Sequence, residues 1–277
     1  MSDIKLAILD LYDNTPNLGM KNIKSIINEF DRIGSIDVFD VRAKAEVPSL
    51  DYDIYISSGG PGSPLDGDGH WEVQYFDWMQ SIWDWNQKEG NKKKYVFFIC
   101  HSFQMACHHF KVGTILARKS PSFGIYPVHM TEEGISDVLF EGLNNPFYAA
   151  DFRNWQIVQP NWDHINHMGF EILALEKPRP HLKLERAVMA VRFSEEMLGV
   201  QFHPEADPEG MRTHFLDPKR RELILETHSE RKYLNMMDHL FDSDNINLTH
   251  SIVLPYFLHK TINKLTVQNN SVPITTK

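Results

Sequence analysis

Residues 95–110 read YVFFICHSFQMACHHF, an apolar run that stops on a cysteine and continues directly as a helical pattern. The run up to Ile99 is rich in aromatic and β-branched residues and too short for a membrane span, which favours a fully buried parallel strand. Past Cys100, apolar residues such as Phe103 and Phe110 recur at roughly helical spacing. The stretch therefore predicts a strand-to-helix corner that exposes a cysteine at the carboxyl end of a sheet. The positive end of the helix dipole would favour the thiolate there.

Composition narrows the class of protein. The chain has 277 residues, 42% hydrophobic and 23% charged, as in an ordinary globular enzyme. A formal net charge of −9 leaves no basic footprint for nucleic acid, and no stretch approaches the ~18 apolar residues that span a bilayer. Residues 1–10 lack the basic region and cleavage site of a signal peptide. We therefore expect a cytoplasmic protein with no nucleic-acid or membrane partner and with Cys100 and Cys107 reduced.

The first hundred residues alternate between strand and helix patterns. The predicted strands are 4–11, 36–41, 53–56 and 95–99, and the predicted helices are 19–32 and 71–87. The third strand ends on the glycine-proline loop SSGGPGSP, residues 57–64. This order is the signature of an α/β fold with a doubly wound, mostly parallel, flavodoxin-like sheet flanked by helices. The loop and Cys100 are then expected to meet at one edge of that sheet.

The second half of the chain continues with short strand patterns and ends in helices. The predicted strands are 113–116, 125–130, 147–151, 156–158, 171–175, 187–193 and 197–202, and helical patterns cover 208–241 and 245–265. We interpret residues 1–215 as one domain and residues 216–277 as a C-terminal helical extension packed on it.

A cysteine nucleophile needs a base that takes its proton and a third group that orients the base. His203 and Glu205 follow the last strand pattern in the motif GVQFHPE. Their i, i+2 spacing points both side chains the same way in extended chain, so the carboxylate can hold the imidazole. The backbone N–H groups of Gly60 and His101 are placed to stabilise an oxyanion.

The motifs SSGGPGSP, ICHSFQ and GVQFHPE, in this order, resemble the class I glutamine amidotransferase family over about residues 1–215. Within the family, the chain most resembles the amidotransferase domain of GMP synthase. The resemblance implies that Cys100 attacks the glutamine carboxamide, with His203 as general base and acid and Glu205 as its orienter. It also implies that Gly60 and His101 form the oxyanion hole.

The same resemblance implies a binding site for the substrate. Gln104 matches the residue that lines the glutamine pocket. Arg153, Asn154 and Trp155 resemble the segment whose backbone holds the α-amino and carboxylate groups of glutamine. Neither a metal nor a cofactor is implied, and the ammonia released would pass to a separate synthetase.

The sequence departs from the family pattern on both sides of the nucleophile. The family elbow reads Gly-x-Cys-x-Gly-x-Gln, whereas this chain has Phe98 and Ser102 at the two glycine positions. Serine is small enough to be tolerated. The phenylalanine predicts either a splayed elbow or a ring that occupies space meant for substrate.

Three functions are compatible with these motifs. The first is a glutaminase that uses a γ-glutamyl thioester and supplies ammonia to a synthetase partner. The second is a stand-alone hydrolase of γ-glutamyl amides or peptides, and the third is a non-catalytic binding module on the same fold. For the tryptophan-rich helix 71–87, core packing is favoured over a partner surface.

Overall fold

The computed structural model describes residues 4–15, 17–180 and 183–270, and within these ranges nine strands form one sheet. The strands are β1 Ile4–Asp10, β2 Ile33–Asp40, β3 Ile54–Ser57, β4 Tyr95–Ile99, β5 Thr114–Met130, β6 Phe147–Val158, β7 Glu171–Glu176, β8 Val188–Arg192 and β9 Met197–Val200. Their spatial order is β2-β1-β3-β4-β9-β8-β7-β5-β6.

The sheet is parallel on one side and antiparallel on the other. Strands β2, β1, β3, β4 and β9 pair in parallel, and β8, β7, β5 and β6 continue the sheet with antiparallel pairings. The predicted α/β fold with a doubly wound, mostly parallel core is confirmed. The parallel half brings the carboxyl ends of β1, β3, β4 and β9 to one edge, where ligands bind in such folds.

The antiparallel half is simpler than the sequence patterns indicated. The patterns at 113–116 and 125–130 belong to one long strand, β5, and those at 147–151 and 156–158 belong to β6. The two strands pair with a register shift between Ala117 and Ser122. Polar residues of the ribbon interrupt the apolar alternation without ending the backbone pairing, so each strand looked like two.

Ten α-helices lie in the described ranges. They are α1 Gly19–Ile27, α2 Val41–Lys44, α3 Trp71–Gln87, α4 His101–His109, α5 Glu132–Ser136, α6 Trp162–Met168, α7 Pro208–Leu216, α8 Pro218–Thr227, α9 Glu230–Phe241 and α10 Ser243–Asn270. The predicted helical region 208–241 is divided into three because Asp217 and Ser229 each cap a new helix.

Successive residues of β4 point to opposite faces of the sheet and enter two different cores. Phe97 packs with the α1 side, where its ring lies 5.1 Å from the ring of Phe257 in α10. Phe98 packs on the other face, under α3 and α4. Helix α10 thus shares a core with the sheet, and the boundary near residue 215 stays a prediction.

Helix α3 buries much of its aromatic surface. Trp71, Tyr75 and Trp78 are buried in the core beneath the sheet, and Trp83 packs against Phe110 of the following helix region at 5.2 Å between ring centroids. Core packing is therefore confirmed for this helix. Among the described residues, no helix has the length and apolar character needed to cross a membrane.

Candidate active site

Cys100 lies at the corner between β4 and α4, as the sequence predicts. Its backbone is held at φ 52° and ψ −100°, a left-handed conformation that is costly for a non-glycine residue and typical of functional corners. Its N–H donates to the carbonyl of Val200 in β9 (2.8 Å), and its carbonyl accepts from Gln104 N–H (3.0 Å) in α4. Both neighbouring elements therefore fix the position of the cysteine.

The two expectations about Phe98 are not met. Its side chain is fully buried beneath the sheet, with its ring 6.2 Å from that of Phe193, and it lines neither of the cavities that reach Cys100. Gly199 is its register partner on β9. A Cβ at Gly199 would lie only 2.9 Å from the Cβ of Phe98, so the missing side chain on β9 makes room for the large one on β4.

Ser102 closes the elbow from the other side. Its hydroxyl accepts from the N–H of Ile99 (2.9 Å) and donates to the carbonyl of Ser57 at the end of β3 (2.8 Å). Its side chain is fully buried. Serine at this position therefore joins β3, β4 and α4 instead of separating them, and the elbow is not splayed.

His203 and Glu205 follow β9 and lie against Cys100. Glu205 Oε1 accepts from Nδ1 of His203 at 2.8 Å, and the imidazole lies beside Cys100, since a Cβ placed on Gly59 would be 3.0 Å from Cε1 of His203 and 3.6 Å from Cβ of Cys100. The backbone at this position is fixed by a hydrogen bond that the His203 N–H donates to the carbonyl of Ala150 in β6 (2.9 Å). The structure thus brings together the three residues that the sequence singled out.

The electrostatics of this trio favour a charged imidazole. Burial lowers the pKa of His203, but the charges of Glu205 and Cys100, and hydrogen bonds to both, outweigh that effect and raise the pKa well above its usual value. Glu205 is 1% exposed, and its Oε2 has no hydrogen-bond partner among the described residues. A buried carboxylate oxygen without a hydrogen-bond partner is unusual in folded proteins.

Sequence reasoning missed Tyr12, which closely follows β1 at the same sheet edge. A methyl group placed on Gly59 would lie 3.1 Å from the Tyr12 hydroxyl and 3.0 Å from Cε1 of His203, so the phenol borders the imidazole. Burial, and then the charges of Glu205 and Cys100, raise the pKa of Tyr12 well above its usual value. Its position at the carboxyl end of a parallel strand was the signal that could have found it.

Gln201 was also missed, although it stands inside the motif GVQFHPE. Its fully buried amide donates to Cys100 Sγ at 3.7 Å and accepts from Gln104 Nε2 at 3.0 Å. The carbonyl of Phe152 lies 3.8 Å from the same sulfur. The thiol is therefore held by the strand before His203 and by β6.

Gly60 and His101 flank the sulfur. His101 is the first residue of α4, where a backbone N–H has no acceptor within the helix. A Cβ at Gly60 would lie 2.3 Å from the carbonyl of Leu11, so only glycine fits. Burial, and then the charge of Arg42, lowers the pKa of His101 to about 3, which keeps its ring neutral.

Gln104, Asn154 and Trp155 meet on one side of Cys100. Gln104 Nε2 donates to the carbonyl of Trp155 at 3.3 Å, so the two predicted segments are in contact. The Arg153 guanidinium turns inward and pairs with Asp151 at 2.9 Å, which leaves the side chain unable to bind a ligand. Asn154, by contrast, is exposed.

Two cavities reach Cys100 from opposite sides. We call the first the polar cavity; it measures about 230 Å³ and is lined by residues that include His101, Gln104, Asn154 and Trp155. We call the second the apolar cavity; it measures about 330 Å³ and is lined by residues that include Leu18, Phe152, Met211 and Phe215. Cys100, Gly60, Pro61 and Phe152 belong to the walls of both.

The arrangement fits covalent chemistry at a carbonyl group. A thiol beside a charged imidazole can ionise and attack, and N–H groups at a helix start can stabilise the oxyanion that forms. Within residues 4–15, 17–180 and 183–270, no group of three or more His, Cys, Asp and Glu side chains has a geometry that would hold a metal ion.

Solved structures with the same architecture share little sequence with this chain. A glutamine amidotransferase from Thermotoga maritima aligns with a TM-score of 0.69 and 13% identity, over 95% of this chain and 99% of that one. A putative GMP synthase component from Thermoplasma acidophilum aligns with a TM-score of 0.54 and 16% identity, over 88% and 98% of the two chains. At these identities the likeness establishes the fold.

Sequence comparison finds a distant enzyme and a family. Homoserine O-succinyltransferase from Alteromonas mediterranea is 23% identical over 217 residues, which cover 77% of this chain and 64% of that protein. The chain therefore spans less than two thirds of this relative. The family described as glutamine amidotransferase class-I matches residues 15–222. The predicted resemblance is confirmed: the chain belongs to the class I glutamine amidotransferase family.

Proposed function

We propose that this protein is a cysteine-dependent amide hydrolase that releases ammonia from glutamine for a separate synthetase. One observation carries the proposal. The imidazole of His203, which is bound to the buried carboxylate of Glu205, lies beside Cys100 and next to a cavity that ends on Gln104. Nucleophile, base and orienting group in contact are the arrangement that acyl transfer through a covalent intermediate requires.

The proposed reaction starts from the ion pair of the Cys100 thiolate and the His203 imidazolium, which forms when the Cys100 proton passes to the neutral imidazole. The thiolate attacks the side-chain carbonyl of glutamine, and the N–H groups of Gly60 and His101 stabilise the oxyanion. His203 then returns the proton to the departing nitrogen, so ammonia leaves and a γ-glutamyl thioester remains. Water, deprotonated by the same imidazole, attacks the thioester and releases glutamate.

The polar cavity is the proposed site for glutamine. Its Gln104 amide is already oriented by Gln201 and by the Trp155 carbonyl, so little ordering is needed on binding. The inward-turned Arg153 side chain leaves the backbone of residues 153–155 and the exposed Asn154 to contact the α-amino and α-carboxylate groups. We assign this chemistry to residues 1–215, with 216–277 as a helical extension.

A glutamate-release assay tests the proposal. Wild type should produce glutamate from free glutamine, and Cys100→Ala should lose at least about 10⁴-fold in kcat/KM, the scale seen when a covalent nucleophile is removed. Cys107→Ala is the matched control because this second cysteine is buried away from both cavities. Equal rates for wild type and Cys100→Ala would contradict the proposal.

Two comparisons separate the competing functions. A clear preference for γ-glutamyl peptides over free glutamine would indicate a stand-alone γ-glutamyl hydrolase. No glutamate from either substrate, together with no reaction of Cys100, would indicate a binding module. If the proposal is correct, free glutamine is preferred and the rate increases when the synthetase partner is added.

A further inference from the structure

The apolar cavity is not used by the proposed hydrolysis. Its volume of about 330 Å³ falls within the range of small-molecule sites, roughly 300–1,000 Å³. The walls that it does not share with the polar cavity come from the loop after β1, from α1 and from α7. Leu18, Met211 and Phe215 make these walls largely apolar.

The cavity also contains polar groups that lack protein partners. Oε2 of Glu205 is buried and has no hydrogen bond among the described residues. Asn22, 8% exposed, faces the cavity, and in the part of the chain that the structure describes its amide makes no hydrogen bond. Buried polar groups are nearly always satisfied, so the free Glu205 oxygen indicates a ligand, and the Asn22 amide, which is open to the cavity, is available to the same ligand.

The hydrogen-bonding character of these groups indicates the chemical class of the ligand. A carboxylate oxygen accepts hydrogen bonds, so Glu205 favours a group that carries N–H donors. The apolar walls favour a hydrocarbon part beside that group. Cys100 and His203 are also in the wall, so the nitrogen of such a ligand would sit next to the sulfur.

We propose that the apolar cavity binds a primary amine with a hydrocarbon side group, which takes the γ-glutamyl group from Cys100. The inference rests on the proposed function, because it needs the thioester. The lone pair of the amine attacks the thioester carbonyl; a C–N bond forms and the C–S bond breaks. The amine proton passes to His203 and then to the Cys100 sulfur, so the product is a γ-glutamyl amide and the thiol is regenerated.

The experiment measures how the thioester is divided between water and amine. Glutamine is the donor, and phenethylamine and methylamine are compared at equal concentrations, with glutamate and γ-glutamyl amide measured by mass spectrometry. Because only phenethylamine fills the apolar walls, its amide-to-glutamate ratio should exceed that of methylamine by about tenfold or more.

Substitutions in the wall of the apolar cavity test whether the amine binds there. Leu18→Trp fills the cavity at the N-terminus of α1 and should reduce the preference for phenethylamine to about twofold or less. Leu234→Trp is the matched control, since Leu234 is 51% exposed on α9 and lines neither cavity, and it should keep the wild-type ratio. Asn22→Leu, which keeps the volume and removes the amide, provides a second variant should Leu18→Trp fail to fold.

The outcomes separate this inference from the proposed function. No glutamate and no amide would overturn both. Glutamate without amide would overturn the acceptor site alone and would fit a cavity that only conducts ammonia or faces a synthetase. Amide formed with the same preference in Leu18→Trp and Asn22→Leu as in wild type would show that the amine does not bind in the apolar cavity.

Discussion

The two cavities at Cys100 share a sulfur atom and differ in almost everything else. The polar cavity is built from α4 and β6, and its Gln104 amide is already hydrogen-bonded to Gln201 and to the Trp155 carbonyl. The apolar cavity is built from α1 and α7, and Oε2 of Glu205 in its wall has no hydrogen bond among the described residues, although Asn17 in the same wall is hydrogen-bonded. The Gln104 side resembles a preorganised site for a defined polar molecule, and the Glu205 side has an acceptor oxygen that no donor among the described residues fills.

In the proposed reaction, this difference corresponds to a division of roles between the two cavities around a single thioester. Groups that orient a substrate need fixed positions, and the Gln104–Gln201–Cys100 chain provides them. An incoming group needs only access and a base, which the other side has in His203. Each prediction below tests whether a residue belongs to one cavity, to both or to neither.

The largest effect is expected at His203, which is the proposed base for the reactions in both cavities. His203→Ala should lower glutamate release and amine transfer together, by about 10³-fold or more, because general acid–base catalysis contributes on this scale. Steady-state kinetics with glutamine, with and without phenethylamine, measures both. His167→Ala on the exposed face of α6 is the control. Loss of only one of the two reactions would contradict the shared-base assignment.

Glu205→Gln should give the next largest effect, a rate loss on the order of 10²-fold, and should also change the pH profile. The pKa of His203 is lowered by burial but raised further by Glu205 and Cys100, so removing the carboxylate charge lowers it. The imidazolium is then lost at lower pH, and the alkaline limb of kcat/KM moves to lower pH. An alkaline limb that stays at the same pH, or moves to higher pH, would contradict this account.

Gly199→Ala tests the claim that Phe98 lies outside both cavities. The added Cβ would approach Phe98 and Phe103 to 2.9 Å, so the free energy of unfolding should fall by about 2 kcal/mol in urea titrations. In a Phe98→Ala background the cost should be smaller, with a coupling energy of about 0.5–3 kcal/mol. Additive costs would show that the two positions do not compensate each other.

Gln104→Leu should give the smallest effect, and that effect should be confined to glutamine binding in the polar cavity. The KM for glutamine should rise by about tenfold because one oriented hydrogen-bonding group is lost, while the division of the thioester between phenethylamine and water stays as in wild type. Gln87→Leu, at the exposed end of α3, is the control. A changed division would show that the two cavities are not independent.

The elements around Cys100 could be predicted from sequence because each is encoded locally. A short apolar run, a cysteine and a helical pattern define the elbow, and the HPE motif needs only extended geometry to join His203 to Glu205. The doubly wound core followed from the order of patterns. These features depend on residues within a few positions of one another.

The rest depends on pairing between distant segments. That Gly199 makes room for Phe98 follows from the register of β9 on β4, which no local pattern states. The position of Tyr12 next to Gly59, beside the imidazole, and the walls formed by α1 and α7 depend on how distant segments pack on the sheet. Sequence reasoning therefore singled out Cys100 and His203, which the structure places side by side, but neither the apolar cavity nor the compensation at the elbow.

Reaction of Cys100 with diazo-oxo-norleucine, a glutamine analogue that alkylates activated thiols, tests the central claim most directly. Peptide mass spectrometry should find the adduct on Cys100 and none on Cys107, with glutamine protecting the site and His203→Ala slowing the reaction. Such a result requires an ionised thiol and an open glutamine site together. An unmodified Cys100, or labelling that glutamine does not slow, would contradict the account.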